Sequence, residues 1–287
     1  MLNKLFSRFN LINAYGSATR NFPFSVRELL QGILKKPCTR IGPRFIESID
    51  GPSNGNDYLR VKIRSVSTPL YWPCTLPLFD LYKVVTECFY DSDWHYYETP
   101  ETRVELGDVV FDCGAAEGMF TLRVLEQAGR IIIFEPQPVF VASLIRTFGG
   151  DKKVMILPSA LGSKEGNTFL SGGSLYGTVS NDPAGVPIQI TTIDKFVERE
   201  GCRVDFIKGD LESFEFNVLK GAQNTIKKYA PKIALTVYHS GNDWLQILCF
   251  LRSLVPEYAY KLKGLSYNGG KARPVMLHCW RPKICRN

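Results

Sequence analysis

The chain has 287 residues, 45% hydrophobic and 22% charged, enough for one large domain or two smaller ones around a sizeable core. No apolar run approaches the roughly 18 to 20 residues that cross a bilayer, so no transmembrane segment is expected. The net charge of +7 lies wholly in residues 1–44, where eight Lys and Arg face the lone acid Glu28; the neutral remainder offers no basic face for nucleic acid.

The basic head, residues 1–44, reads as a solvated face on a helical lead-in, with contact to an acidic partner or a membrane surface left open. It is poor in acids and carries Arg and Ser as organelle transit peptides do, but Phe and Pro interrupt it. No apolar core of secretory-signal length sits near Met1. "DGPSNGND" (50–57) is a loop. "PLYWPCTLP" (69–77) holds three prolines and cannot be helix interior. "LPLFDLYKVVTECFY" (76–90) has apolar residues at helical spacing. Residues 1–100 are therefore expected to be a mostly helical or irregular accessory segment covering an edge or mouth of a domain formed by residues 101–287.

From residue 100 the pattern is regular. "DVVFDCG" (108–114), "RIIIFEP" (130–136), "KVMILPSALG" (153–162), "DFIKGD" (205–210) and "KIALTVYH" (232–239) read as short buried strands. "MFTLRVLEQAG" (119–129), "VFVASLIRTFGG" (139–150), "FEFNVLKGAQNTIKKY" (214–229) and "DWLQILCFLRSLV" (243–255) read as helices. Two last strands, "YAYKLKG" (258–264) and "PVMLHCW" (274–280), close the chain. Alternation of this kind predicts an α/β, doubly wound, mostly parallel seven-stranded Rossmann-like sheet. The closing pair lacks a helix between its members, so one antiparallel edge strand is expected.

Ligands of such sheets sit beyond the carboxyl ends of the strands. The strand ends here are Asp112 with its glycine loop, Glu135-Pro136, Ser159-Ala160, Asp210 with Glu212, and His239. In "VVFDCGAAEGMF" (109–120), Gly114 permits a tight turn and close approach of a ligand to the backbone at Ala115, and Gly118 permits close packing at the helix start. A dinucleotide loop needs Gly-x-Gly-x-x-Gly against a pyrophosphate; Ala116 stands where its second glycine belongs. Asp112 would repel a diphosphate and suits a cation, such as the amino group of S-adenosylmethionine. Glu135, 21 residues past the first glycine, is placed to accept hydrogen bonds from both ribose hydroxyls. The alternative, two acids that merely cap strands and helices, stays open on these residues alone.

The text "VVFDCGAAEGMFTL", "RIIIFEPQPVF", "PSALGSKEG", "TTIDKFV" and "VDFIKGDLESFEFNVLKGAQNTI" resembles the FkbM-type S-adenosylmethionine-dependent methyltransferases over about 180 residues. The family's Lys-x-Asp-x-Glu-Gly-x-Glu segment is matched by Lys208, Asp210, Glu212 and Glu215, and its Leu-Lys-Gly-Ala by residues 219–222. Gly209 replaces an aliphatic residue and Ser213 a glycine. The first weakens a strand interior or makes room for a ligand; the second is small enough to keep the turn. The resemblance implies O-methylation of a hydroxyl on a sugar, glycan or secondary metabolite, with S-adenosylmethionine bound by Asp112, Gly114, Ala115, Gly118, Glu135, Pro136, Ser159, Ala160 and Asp210.

A hydroxyl is a poor nucleophile and gains from a general base. Asp210 or His239 is expected to be that base, with Glu212 orienting substrate or cofactor. The clustered acids could also hold a divalent metal, although no bidentate spacing favours one. A methyltransferase-like scaffold without catalysis and an NAD-type dinucleotide enzyme are the other classes considered. "GGSLYG" (172–177) departs from a nucleophile elbow by one position and reads as a loop near the site. "SYNGGKARP" (266–274) is a turn whose Lys271 and Arg273 could meet a substrate. Eight cysteines form no CxxC and no zinc spacing. With no Asn-x-Ser/Thr sequon, they suggest buried thiols in a reducing, cytoplasmic setting.

Overall fold

A computed structural model describes residues 26–52, 57–171, 178–180, 184–239, 243–268 and 271–283. The leading part runs α1 (Val26–Leu34), α2 (Cys38–Ile41), a 3-10 turn (Gly42–Arg44), β1 (Ile46–Asp50), β2 (Tyr58–Ile63), β3 (Leu70–Pro73) and α3 (Leu78–Phe89). There follow β4 (Val109–Cys113), α4 (Met119–Val124), β5 (Arg130–Phe134), α5 (Pro138–Phe148), β6 (Val154–Leu157), β7 (Ala160–Leu161), β8 (Gly166–Ser171), β9 (Thr178–Ser180) and β10 (Val186–Thr191). The last part is α6 (Ile193–Glu200), β11 (Phe206–Gly209), α7 (Glu215–Lys220), α8 (Gln223–Tyr229), β12 (Lys232–Thr236), α9 (Trp244–Leu254), β13 (Ala259–Asn268) and β14 (Lys271–Trp280).

Seven strands form the central sheet in the order β13-β14-β12-β11-β4-β5-β6. Strands β12, β11, β4, β5 and β6 pair in parallel. This is the doubly wound α/β fold expected, with one correction. The antiparallel strand is not at the edge: β14 lies between β12 and β13, antiparallel to both, and β13 is the edge strand. Side-chain chemistry explains the exchange. Met276, Leu277, His278 and Cys279 of β14 are fully buried, whereas β13 carries Lys261 and Lys263, charges of the kind that edge strands tolerate.

Both faces of the sheet are covered, which is why its strands are apolar runs rather than alternations. Val110, Ile131 and Ile133 point to one face and meet α3, α4 and α5 through Leu81, Val85, Phe120, Leu122, Phe140 and Leu144. Phe111, Ile132 and Phe134 point to the other and meet α6, α7, α8 and α9.

Residues 26–100 are less irregular than the sequence suggested. Strands β1, β2 and β3 make an antiparallel sheet. Val61, Ile63, Leu70 and Trp72 of this sheet are fully buried in the same cluster as Val110, Ile131 and Ile133. Pro69 and Pro73 bound a four-residue strand, and this punctuation hid it. Helix α3 is as expected: Leu81, Val85 and Cys88 recur at helical spacing and face the core.

Two further differences concern the late half. Strands β7, β10, β8 and β9 build a second sheet, although no strand was predicted between residues 163 and 204. The single helix expected over 214–229 is two, α7 and α8, broken at Gly221, whose missing side chain lets the Gly162 carbonyl sit against it. The 172–177 loop lies outside the described residues, as does the Gly-Gly of the turn between β13 and β14. Among the described residues all seven cysteines are free, and no helix is long and apolar enough to cross a membrane.

Candidate active site

The site forms where β4, β5, β11 and β12 end. Strand β4 stops at Cys113 and the chain reverses through Gly114, at φ 72°, and Ala116, at φ 47°. Gly118, at φ 90°, then starts α4. A Cβ on Gly114 would strike the Asp210 carbonyl, and one on Gly118 would lie 2.6 Å from both Leu144 Cδ2 and Phe148 Cε2. Both glycines of the loop are therefore required by backbone conformation and by space. Gly114 brings the ends of β4 and β11 into contact.

Asp112 is enclosed by the protein. It is fully buried, its Oδ1 lies 3.1 Å from Lys208 Nζ and its Oδ2 accepts the Thr121 hydroxyl at 2.8 Å. Asp112 and Lys208 are direct register partners in β4 and β11, a pairing that their separation of 96 positions conceals in sequence. Lys208 also donates to the Gly114 carbonyl. Burial would lower its pKa, but Asp112 and Asp210 outweigh that and raise it. The charge expected to meet a ligand cation is thus neutralised by the protein's own ammonium.

Glu135 leaves β5 and turns back under the loop. Its Oε2 accepts Ala116 N–H at 2.8 Å and its Oε1 accepts Gln137 N–H at 2.9 Å. Burial nevertheless pushes its carboxyl up to about 7. It lines a cleft with Gly114, Pro136, Gln137, Phe140, Ser159, Ala160, Leu161 and Phe214. Ser159 Oγ is buried there without a hydrogen-bond partner among the described residues. Ala115 and Gly118 shape the loop beside the cleft without lining it. An apolar slot, an acid with free lone pairs and an unsatisfied hydroxyl fit an adenosine.

Asp210 closes β11. Its Oδ2 accepts the Tyr97 hydroxyl at 2.8 Å and lies 3.8 Å from His95 Nε2; its Oδ1 is 3.1 Å from the Thr236 hydroxyl. Burial alone would raise its pKa, but His95, Lys208 and His239 together with the Tyr97 hydrogen bond bring it down to about 2. Such a carboxylate is too weak a base to share a hydroxyl proton at neutral pH. Next to it, Glu212 and Ser213 adopt φ 48° and 83°. Ser213 thus keeps the turn but holds the left-handed conformation that the family's glycine takes without strain. Gly209 makes no room for a ligand: the space its side chain would fill is taken by Leu235 Cδ2.

His239 follows β12. Its Nδ1 lies 3.3 Å from the fully buried Glu215 Oε1 and its Nε2 3.4 Å from Glu212 Oε2. Burial lowers the imidazole pKa, but Glu215, Asp210 and Glu212 raise it further, so the net shift is upward. Glu215 Oε1 also accepts Leu211 N–H at 3.0 Å and lies 2.9 Å from the Thr236 hydroxyl. One ligand atom from each of Asp210, Glu212 and His239 falls within 4.8 Å of the others, a spacing that could hold a metal ion.

A second cavity of about 330 Å³ adjoins the first and shares Ala116, Asp210 and Glu212 with it. Its other walls are Asp80, Lys83, Val84 and Glu87 of α3, with His95, Glu117, Tyr238 and His239. Sequence reading missed Tyr97, His95 and Glu117. Lys208 and Glu215 were visible as motif matches without a role. Nothing local announces Tyr97 and His95, which reach the site from an irregular segment more than 100 residues earlier in the chain.

The FkbM methyltransferase domain profile matches residues 112–262, more than half of the chain, and the chain belongs to that family. Among solved structures it is similar to methyltransferase FkbM from Methylobacillus flagellatus KT, at 21% identity over 71% of this chain and 54% of that one, TM-score 0.47. It therefore spans about half the length of that protein. It is also similar to an rRNA methylase from Streptococcus thermophilus, at 9% identity over 63% and 90% of the two chains, TM-score 0.42. A third, M. capricolum TrmK in complex with S-adenosyl-homocysteine, shares 10% identity over 63% and 65%, TM-score 0.40. Among curated proteins no match was found.

Proposed function

We propose that the chain is an S-adenosylmethionine-dependent O-methyltransferase whose acceptor is a neutral, polyhydroxylated molecule such as a sugar or glycan. The observation that carries this is the pair of adjoining cavities with Asp210 and Glu212 as their common wall. The first suits the adenosine end of the cofactor, held by Glu135, Ser159 and the loop at Gly114. The second suits an acceptor. Among the described residues it carries Asp80, Glu87, Glu117, Asp210 and Glu212 against a single lysine, Lys83. Carboxylates accept hydrogen bonds from hydroxyls and repel anionic acceptors.

The bound cofactor supplies an electrophilic methyl group. The chain's task is to align a hydroxyl and receive its proton. His239 is the base: Glu215 holds its Nδ1, and Nε2, beside Glu212 in the wall of the second cavity, takes the proton. Asp210, held ionised by Lys208 and the Tyr97 hydroxyl, orients the acceptor and favours the sulfonium charge; Glu212 takes hydrogen bonds from the acceptor. The seven free cysteines among the described residues support a reducing compartment, and contact of the basic residues before 45 with an acidic partner or membrane surface is part of the same reading. Calorimetry should show binding of S-adenosylhomocysteine and none of NAD, and a labelled-methyl screen should find transfer to neutral glycans or polyols. Tight NAD binding without S-adenosylhomocysteine binding overturns the proposal, as does cofactor binding without transfer to any hydroxyl.

A further inference from the structure

Glu117 holds one carboxylate oxygen inside the protein that no hydrogen bond among the described residues satisfies. The residue is 2% exposed, and its Oε2 has no hydrogen-bond partner among the described residues. It lines the acceptor cavity and also a smaller one, enclosed by the loop at Gly114–Ala116, Glu87 and Cys88 of α3, Tyr97, Lys208 and Asp210. A buried carboxylate left unpaired is costly unless a cation or donor arrives with a ligand. The Lys208 ammonium is already committed to Asp112 and the Gly114 carbonyl.

The smaller cavity opens beside Gly114, which also lines the adenosine cleft. A cofactor with its adenosine on Glu135 would run its amino-acid end over Gly114 towards Glu117. We propose that Glu117, in place of Asp112, receives a primary ammonium of the bound ligand, and that this ammonium belongs to the amino-acid end of the cofactor. The inference rests on the cofactor reading above. An amine on the acceptor is the other source of the same chemistry, and the two are separable.

The test compares two ligands that share the adenosine and thioether: S-adenosylhomocysteine, which carries the ammonium, and methylthioadenosine, which lacks the amino-acid end. In Glu117→Gln, S-adenosylhomocysteine affinity should fall at least tenfold while methylthioadenosine affinity stays at the wild-type value, which also shows that the variant is folded. Equal loss for both ligands would mean that Glu117 only supports the loop, and no loss for either would move the ammonium to the acceptor; each outcome overturns the proposal. Failure of the wild type to bind either ligand would instead sink the cofactor reading itself.

A second measurement needs no variant. Burial pushes the Glu117 carboxyl up to about 7, against its own backbone N–H and Lys208 and with Glu87 and Asp112 adding to the rise; Cys88, Tyr97 and Asp210 complete its surroundings. The ratio of the two affinities in the wild type should favour S-adenosylhomocysteine less at pH 5.5 than at pH 8. Glu135 titrates alike for both ligands and cancels in the ratio. A pH-independent ratio overturns the assignment.

Discussion

At the scale of single residues, the site separates its carboxylates by environment. Asp210 sits beside Lys208, two imidazoles and a donated hydroxyl and falls to about 2; Glu117 and Glu135 are taken out of water by burial and rise to about 7. The consequences for stability have opposite signs. The stabilisation from Asp210 is fully present above its ordinary 3.8 and is lost as pH falls towards about 2. Glu117 binds its proton in the folded state at about 7 but in the unfolded chain only near 4.5, so the ligand-free protein gains stability as pH falls through that window. Glu117→Gln should therefore be more stable than the wild type at pH 8, by up to about 3 kcal/mol from the linkage relation. Urea unfolding should show the gap closing below about pH 5; an equal gap at both pH values would contradict the buried charge.

His239 supplies the second prediction at this scale. Its pKa is raised by Glu215, Asp210 and Glu212 against burial, and only the neutral imidazole can take a proton. With saturating cofactor and acceptor, kcat should fall with decreasing pH through a value above 6.5. Replacing His239 with Gln should lower kcat roughly 10²- to 10⁴-fold, the usual reach of a general base, and remove that acid limb. A retained limb would assign it to another group.

At the scale of elements, the decisive unit is the turn from β4 into α4 and its crossing with the end of β11. Gly114 and Asp210 touch through backbone, and backbone cannot yield as a flexible side chain can. Gly114→Ala adds a left-handed strain of about 1–2 kcal/mol to that clash. The variant should lose more than about 2 kcal/mol in urea unfolding and bind S-adenosylhomocysteine poorly even where it remains folded. Ordinary stability would mean that the turn relaxes. The regular elements themselves were readable in the sequence because burial leaves a periodic trace: Leu81, Val85 and Cys88 in α3, and the apolar run of β5. Strands β1, β2 and β3 were not, since they are short, bounded by prolines and buried against a partner that no local pattern reveals.

At the scale of the whole molecule, residues 26–100 and the central sheet share one apolar cluster: Val61, Ile63, Leu70 and Trp72 pack with Val110, Ile131, Ile133 and Phe206. A boundary near residue 100 was expected from the change in texture. We propose that it marks a change of role and not of folding unit. The full chain should then unfold in a single cooperative transition, with tryptophan fluorescence and far-UV dichroism coincident, and a chain beginning at residue 101 should not fold cooperatively. Two separated transitions would restore independent domains. The same segment supplies Tyr97, His95 and Glu87 to the site and to the cavity proposed for the acceptor.

The sequence by itself determined the α/β class, the glycine loop, the strand-end acids and the resemblance to FkbM methyltransferases. Each depends on neighbours within one strand, turn or helix, where periodicity and spacing are preserved in order. Only the tertiary structure decided the partners. Register set Lys208 against Asp112, the acid expected to meet a cation; burial left Glu117 Oε2 without a hydrogen-bond partner among the described residues; and packing carried Tyr97 to Asp210 across 113 residues. A charge's role depends on what lies within a few ångströms of it, and distance in space is the quantity that a linear order does not contain.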